Sequence, residues 1–192
     1  MHHKDAERWD ARYLNDERYV TFSLPRPFLV ENERFLPRGG RALDAAMGLG
    51  GNAEYLLKRG LHVVGVDISS IAVRQAKARL PELMAAIADL SHFYIPPHSF
   101  DAILNFYFLQ RELWPLYRNA LRPGGVIFIE TLTQEMLRVQ PDTDPTYLLA
   151  PDELRKAFSD WEILVYREGW EKSRGGRLHP VASLVARRPD SG

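Results

Sequence analysis

From Arg41 onward, short apolar runs alternate with stretches of mixed polarity. ALDAA (42–46), LHVVGVD (61–67), LMAAIA (83–88), FDAILNF (100–106) and GVIFIET (125–131) have strand length and are bounded by turn residues. Between them the spacing predicts helices. One runs from Asn52 to Arg59 and closes at Gly60. A second is capped by Ser69 or Ser70, reaches Leu80 and stops at Pro81. A third spans Gln110 to Leu121, with Pro115 at its start or at a kink. GVIFIET is continuous and apolar, as expected of a strand covered on both faces. Strand–helix alternation of this kind builds a parallel sheet with right-handed crossovers.

The ending breaks the alternation. Pro151 to Phe158 reads as a short helix with Pro151 in its first turn. WEILVYREGW (161–170) and HPVASLVARR (179–188) then follow without a helix between them, joined through a turn at Gly175-Gly176. Two such strands form an antiparallel pair. The expected fold is therefore α/β, a Rossmann-like three-layer sandwich whose seven-stranded, mostly parallel sheet ends in an antiparallel last strand.

The first forty residues differ in character. Asp5 to Asp16 is polar, with Trp9 and Tyr13 one helical turn apart on the same face. After Pro25, residues Phe28, Leu29, Asn32, Phe35 and Leu36 share a face that ends at Pro37 and Gly39-Gly40, which predicts a second short helix. The expected organisation is one domain over 1–192, with a helical lid or extension at 1–40 and a ligand-binding core at 41–188.

Composition narrows the function. A chain of 192 residues with 45% hydrophobic content can bury a core without staples. Lys+Arg and Asp+Glu both number 25, so there is no basic excess for nucleic acid or a membrane surface. The absence of cysteine excludes disulfides, thiolate zinc sites and cysteine nucleophiles. The six histidines lack metal-ligand spacing, so no metal is expected. No apolar run is long enough to span a membrane and no secretory leader is visible, which points to the cytoplasm.

The chemistry concentrates in ALDAAMGLGGNA (42–53), where a strand ending in Asp44 passes through Gly48, Gly50 and Gly51 into a helix. Glycines at such a turn let backbone approach a ligand. Asp67 ends the next strand, nineteen residues after Gly48, where a carboxylate can accept both hydroxyls of a ribose. A nucleoside-containing ligand across the carboxyl edge of the sheet follows. Gly48-x-Gly50-x-x-Ala53 also satisfies the loose dinucleotide pattern, so an NAD(P)-dependent oxidoreductase is one reading. Four features favour S-adenosylmethionine instead. Asp44 can meet an ammonium group, Asp89 can accept from an adenine amino group, a Pro-Gly-Gly turn introduces the fifth strand, and the chain ends in a hairpin.

At these residues the sequence resembles the class I S-adenosylmethionine-dependent methyltransferases, over roughly Arg38 to Arg188. Within them it is most similar to small tellurite-resistance-type and other small-molecule enzymes, through WDARY, GGNAEYLLKRG and YLLAPDEL (147–154). The resemblance implies a cofactor site of Asp44, Ala46, Met47, Gly48, Gly50, Asn52, Asp67, Ile68, Asp89, Leu90 and Asn105. Ala46 stands where the family has its first glycine, and its methyl fits there if φ is negative. Gly51 stands where tellurite-type relatives carry Arg, so their substrate is not carried over.

The function expected is methyl transfer from S-adenosylmethionine to a small-molecule acceptor by a monomer or homodimer. A non-catalytic S-adenosylmethionine-binding module is a further alternative. Asn105-Phe106-Tyr107-Phe108 lacks the prolines of amino-group methyltransferases of nucleobases and glutamine. An oxygen acceptor would want a base, for which the candidates are Tyr107, Glu168 and His179. Trp9, Tyr13, Tyr19, Tyr107 and Trp170 are candidates for touching the acceptor.

Overall fold

The structure, a computed structural model, describes residues 2–15, 23–172 and 176–190. Its strands are β1 (Arg41–Ala45), β2 (His62–Asp67), β3 (Met84–Ile87), β4 (Phe100–Phe106), β5 (Leu121–Leu132), β6 (Glu162–Lys172) and β7 (Leu178–Arg187). They form one seven-stranded sheet in the order β3-β2-β1-β4-β5-β7-β6. The pairs among β1 to β5 are parallel, and β7 is antiparallel to both β5 and β6. Six strands thus run one way and β7 runs against them, as the sequence pattern predicts.

The hairpin strands take their places by composition. VASLVA in β7 is buried on both faces and lies inside the sheet. β6 carries Tyr166, Arg167 and Glu168 and is half-buried to exposed along its length, so it forms the edge, where charged side chains discourage further pairing.

The helices are α1 (His2–Asn15), α2 (Pro27–Glu31), α3 (Gly51–Leu57), α4 (Ser70–Arg79), α5 (Leu113–Ala120) and α6 (Glu153–Ala157). Strand alternation splits the core in two. Leu43, Ile103, Ile127 and Leu184 meet Tyr117 of α5, Phe158 and Trp161 on one face. Ala42, Leu104, Phe128 and Val185 meet Phe28 and Leu29 of α2, Leu56 of α3 and Ala76 of α4 on the other. These are the three layers expected.

Several boundaries differ from expectation for local reasons. The stretch after Pro25 breaks into α2 and a 3-10 turn at Glu33–Phe35, because Asn32 turns its side chain back to the Phe28 carbonyl at 2.9 Å. Ser69 is the residue that caps α4, its hydroxyl accepting from the Ala72 amide at 3.1 Å. α5 starts at Leu113, so Pro115 lies in its first turn, where a missing N–H costs nothing. α6 begins at Glu153, which leaves Pro151 ahead of the helix instead of in it.

Candidate active site

β1 delivers Asp44 to the carboxyl edge of the sheet, between Gly65 of β2 and Leu104 of β4, at 1% exposure. The chain then turns sharply into α3. Ala46 has φ +54°, Gly48 +54° and Gly50 +74°. The condition under which the Ala46 methyl fits freely, a negative φ, is therefore not met: the alanine is held in the left-handed region, at a cost of roughly 1–2 kcal/mol. Met47 donates its amide to the Val66 carbonyl at 3.1 Å and folds its side chain into the core against Gly65. What Met47 presents to the edge is backbone alone.

Asp67 ties this loop to β2. Its Oδ2 accepts from the Gly48 amide at 2.8 Å and its Oδ1 from the Ser69 amide at 2.9 Å. Burial pushes its carboxyl above the ordinary range, and the Ser69 and Gly48 amides pull the other way. The nearby charge of Asp10 also raises it. Asp10 comes from α1 and caps α4: it accepts from the Ser69 hydroxyl at 2.5 Å, the Ser70 hydroxyl at 3.1 Å and the Ile71 amide at 3.1 Å. α1 is thereby seated beside the glycine loop, and the Tyr13 hydroxyl stands 2.7 Å from where a Cβ on Gly48 would be.

Beyond β4 the edge opens into a cavity of about 580 Å³. Tyr107 forms one wall, its backbone at φ +55°, a strained conformation for a bulky residue and of the kind found at functional sites. Asn105 sets this turn by donating to the Phe108 carbonyl at 2.6 Å while accepting from the Tyr117 hydroxyl at 3.2 Å. Arg26, Glu130, Arg167 and Trp170 complete the inner walls. Glu130 ends the parallel part of β5 and accepts from the Ser183 hydroxyl at 2.9 Å. Burial raises its carboxyl above the ordinary range, although the hydrogen bond and the charges of Arg26 and Arg167 oppose this.

Residues 42–125 match the methyltransferase domain family. Over that stretch the chain is similar to methyltransferases, and its fold is that of the class I S-adenosylmethionine-dependent enzymes. A trans-aconitate 2-methyltransferase of Rhodopseudomonas palustris is 33% identical over 130 residues, which cover 64% of this chain and 49% of that protein. The chain thus spans about half the length of this curated relative. Among solved structures, a methyltransferase of Methanosarcina mazei superposes with a TM-score of 0.69 at 18% identity, covering 83% of this chain and 97% of the other. TehB of Haemophilus influenzae gives 0.68 at 20% identity, covering 83% and 61%.

Within the matched stretch the fold brings Asp44, Ala46, Gly48, Gly50 and Asp67 together at the β1 and β2 ends. Ile68 follows Asp67 and is half-buried. Asp89 lies after β3 and accepts from the Ser91 amide at 2.9 Å and hydroxyl at 2.6 Å, which shapes its own turn. Leu90 belongs to the core. Asn52 accepts the Arg26 amide at 2.9 Å, so its side chain oxygen anchors the N-terminal arm. The Asn105 side chain likewise serves the fold at both ends.

Of the residues expected to touch an acceptor, Tyr107 and Trp170 line the cavity. Trp9 and Tyr13 pack together on α1, 6.0 Å between ring centres; Tyr13 reaches the glycine loop, and neither is among the residues lining the cavity. Tyr19 lies outside the described residues. Glu168 is a correction: it is not among the residues lining the cavity, as its neighbour Arg167 is, and it accepts instead from the Asp152 amide at 3.1 Å and from the Tyr166 hydroxyl. His179 is half-buried in β7 opposite Glu171, and burial lowers its affinity for a proton, with Arg177 and Arg26 adding to the effect. The sequence reading missed Arg26, Glu130 and Arg167. The one available signal was a charged residue inside an apolar strand: Glu130 closes GVIFIE, and such an acid at a strand's carboxyl end is the pattern that singled out Asp44 and Asp67. Among the described residues no acidic or histidine cluster could hold a metal, and no helix is long and apolar enough to cross a membrane.

Proposed function

We propose that this chain transfers a methyl group from S-adenosylmethionine to a small-molecule acceptor bound in the cavity beyond β4. The observation that carries the reading is a row of buried or half-buried carboxylates along one sheet edge, Asp44, Asp67 and Asp89, set around a left-handed glycine turn. Every one is an acceptor, and the ligand they suit offers donors in the same order: an ammonium group, ribose hydroxyls and an adenine amine. Glycine at Gly48 and Gly50 keeps the edge clear for close approach. This set of acceptors therefore fits the cofactor.

Bound S-adenosylmethionine supplies a methyl group already activated by the sulfonium charge. The chain's part is alignment, which in well-oriented systems is worth up to roughly 7–11 kcal/mol. Asp44 and the 46–50 loop fix one end and Asp67 the middle. Tyr107, which follows β4 and lines the cavity, would stand as the wall between the two ligands. Glu130 is the buried carboxyl available to hold an acceptor proton. The trans-aconitate enzyme among the relatives supports a small organic acceptor. A dinucleotide site would want two mononucleotide-binding halves, whereas here β7 is inserted antiparallel between β5 and β6.

Melting tests the reading. A ligand at a hundred times its Kd stabilises by about 2.7 kcal/mol, and each kcal/mol is about 2–4 °C at this size. Saturating S-adenosylhomocysteine should raise Tm by several degrees and NADH should not. The reverse pattern would overturn the proposal.

A further inference from the structure

The acceptor cavity is walled by two guanidinium groups delivered from opposite ends of the chain. Arg26 arrives on the N-terminal arm. The arm is pinned to the start of α3, where its amide donates to Asn52 and the Leu24 carbonyl crosses Gly51 so closely that any Cβ there would collide with it. Arg26 is itself buried, at 8% exposure, with its guanidinium 4.0 Å over the Tyr107 ring. Arg167 arrives on β6 and lies 4.9 Å over the Phe28 ring. Its Nη2 donates to Glu31 at 2.7 Å, while its Nε is buried and has no hydrogen-bond acceptor among the described residues. A buried donor left without an acceptor is destabilising, and the cost is recovered when a ligand supplies one.

The acids of the same cavity do not cancel this charge. Glu31 and Glu171 are exposed, where water screens them, and Lys172 stands exposed beside them. Glu130 is the buried acid, and burial pushes it toward its neutral form. The interior therefore favours an anion. A planar carboxylate suits it, because guanidinium N–H groups are directed in a plane and their hydrogen bonds to carboxylates are strengthened by charge. Tyr107 and Trp170 supply aromatic walls for the remainder of a small molecule.

We propose that the acceptor carries a carboxylate, which accepts from the Arg167 Nε–H with Arg26 as the second cation, so that its reacting end is held toward Tyr107. This assignment rests on the methyl-transfer reading above.

The test is calorimetric titration of the full chain saturated with S-adenosylhomocysteine. The probes are trans-aconitate, succinate and benzoate, each against its neutral amide, with phosphoethanolamine as a control of different charge. At least one carboxylate should bind while its amide does not. Arg167→Gln should weaken that carboxylate at least about tenfold, since hydrogen bonds to charged groups are worth roughly one to two decades. Unchanged S-adenosylhomocysteine affinity in the variant shows that the fold and donor site persist. Arg167→Lys keeps the charge but loses the Nε–H, and should recover only part of the affinity. Carboxylates that fail to bind the parent, that bind it no better than their amides, or that bind Arg167→Gln equally well would overturn the carboxylate anchor alone, as would preferential binding of phosphoethanolamine. Failure of S-adenosylhomocysteine to bind the parent would overturn the methyl-transfer reading, and the anchor with it.

Discussion

Asp67, the last residue of β2, accepts the amide hydrogen of Gly48 at 2.8 Å and so locks the end of one strand to the glycine loop of its neighbour. Its other oxygen takes the Ser69 amide at 2.9 Å. Each carboxylate oxygen can accept more than one hydrogen bond, so both retain capacity for ribose hydroxyls. The same side chain thus shapes the loop and, in the function proposed, offers the acceptors within it. An open strand edge would have made Asp67 dispensable to folding; at 6% exposure it is not.

Replacing Asp67 should therefore cost both binding and stability. Asp67→Ala removes the ribose acceptors, and at about 1.5–3 kcal/mol per charged hydrogen bond the affinity for S-adenosylmethionine should drop at least about tenfold. It also strands the Gly48 and Ser69 amides, which should lower stability by about 1–3 kcal/mol. Asp67→Asn keeps one carbonyl oxygen and should fall between Ala and the parent on both measures. Calorimetric titration and a thermal melt on the variants read the two effects separately. Full affinity in Asp67→Ala would remove the ribose from this position.

Ala46 gives the opposite expectation. At φ +54° its Cβ carries a left-handed strain of roughly 1–2 kcal/mol, which glycine lacks. Glycine gives back about 0.5–1 kcal/mol through the freedom it gains in the unfolded chain. Ala46→Gly should therefore be stabilising by up to about 1.5 kcal/mol, or about 3–6 °C in Tm. A lower Tm in the variant would mean that the alanine methyl makes packing contacts worth more than its strain.

Glu130 should leave a mark on the pH dependence of stability. Burial raises its folded carboxyl above the ordinary 4.5, the Ser183 hydrogen bond, Arg26 and Arg167 oppose the shift, and Glu171 adds to it. The folded state thus holds this proton more tightly than the unfolded chain does. Its contribution to stability is fully present below the unfolded carboxylate value and is lost as pH rises through the folded one. Glu130→Gln has no such proton. Urea denaturation at pH 5 and pH 8 should therefore show the parent losing ground to Glu130→Gln as pH rises. A parent that gains ground instead would show that pairing with Arg26 and Arg167 outweighs burial.

The elements, and the loop that carries the proposed cofactor site, are legible because both are local. Period and punctuation place all seven strands within a few residues, and the loop from Asp44 to Asn52 is continuous in sequence, with Asp67 one strand further on. Hydrophobic content also decides which hairpin strand lies inside, since VASLVA tolerates burial on both faces and the Tyr-Arg-Glu stretch of β6 does not. The cavity beyond β4 is hidden from sequence because nothing local joins its parts. Arg26, Glu130 and Arg167 meet only when the arm crosses Gly51 and when β7 inserts beside β5, which carries β6 out to the sheet edge. Tertiary packing also set the sign of φ at Ala46 and turned Asn52 and Asn105 toward the fold. Sequence patterns report which face of an element avoids water. Which charged groups end up sharing one buried cavity depends on strand order, and strand order is decided by long-range packing.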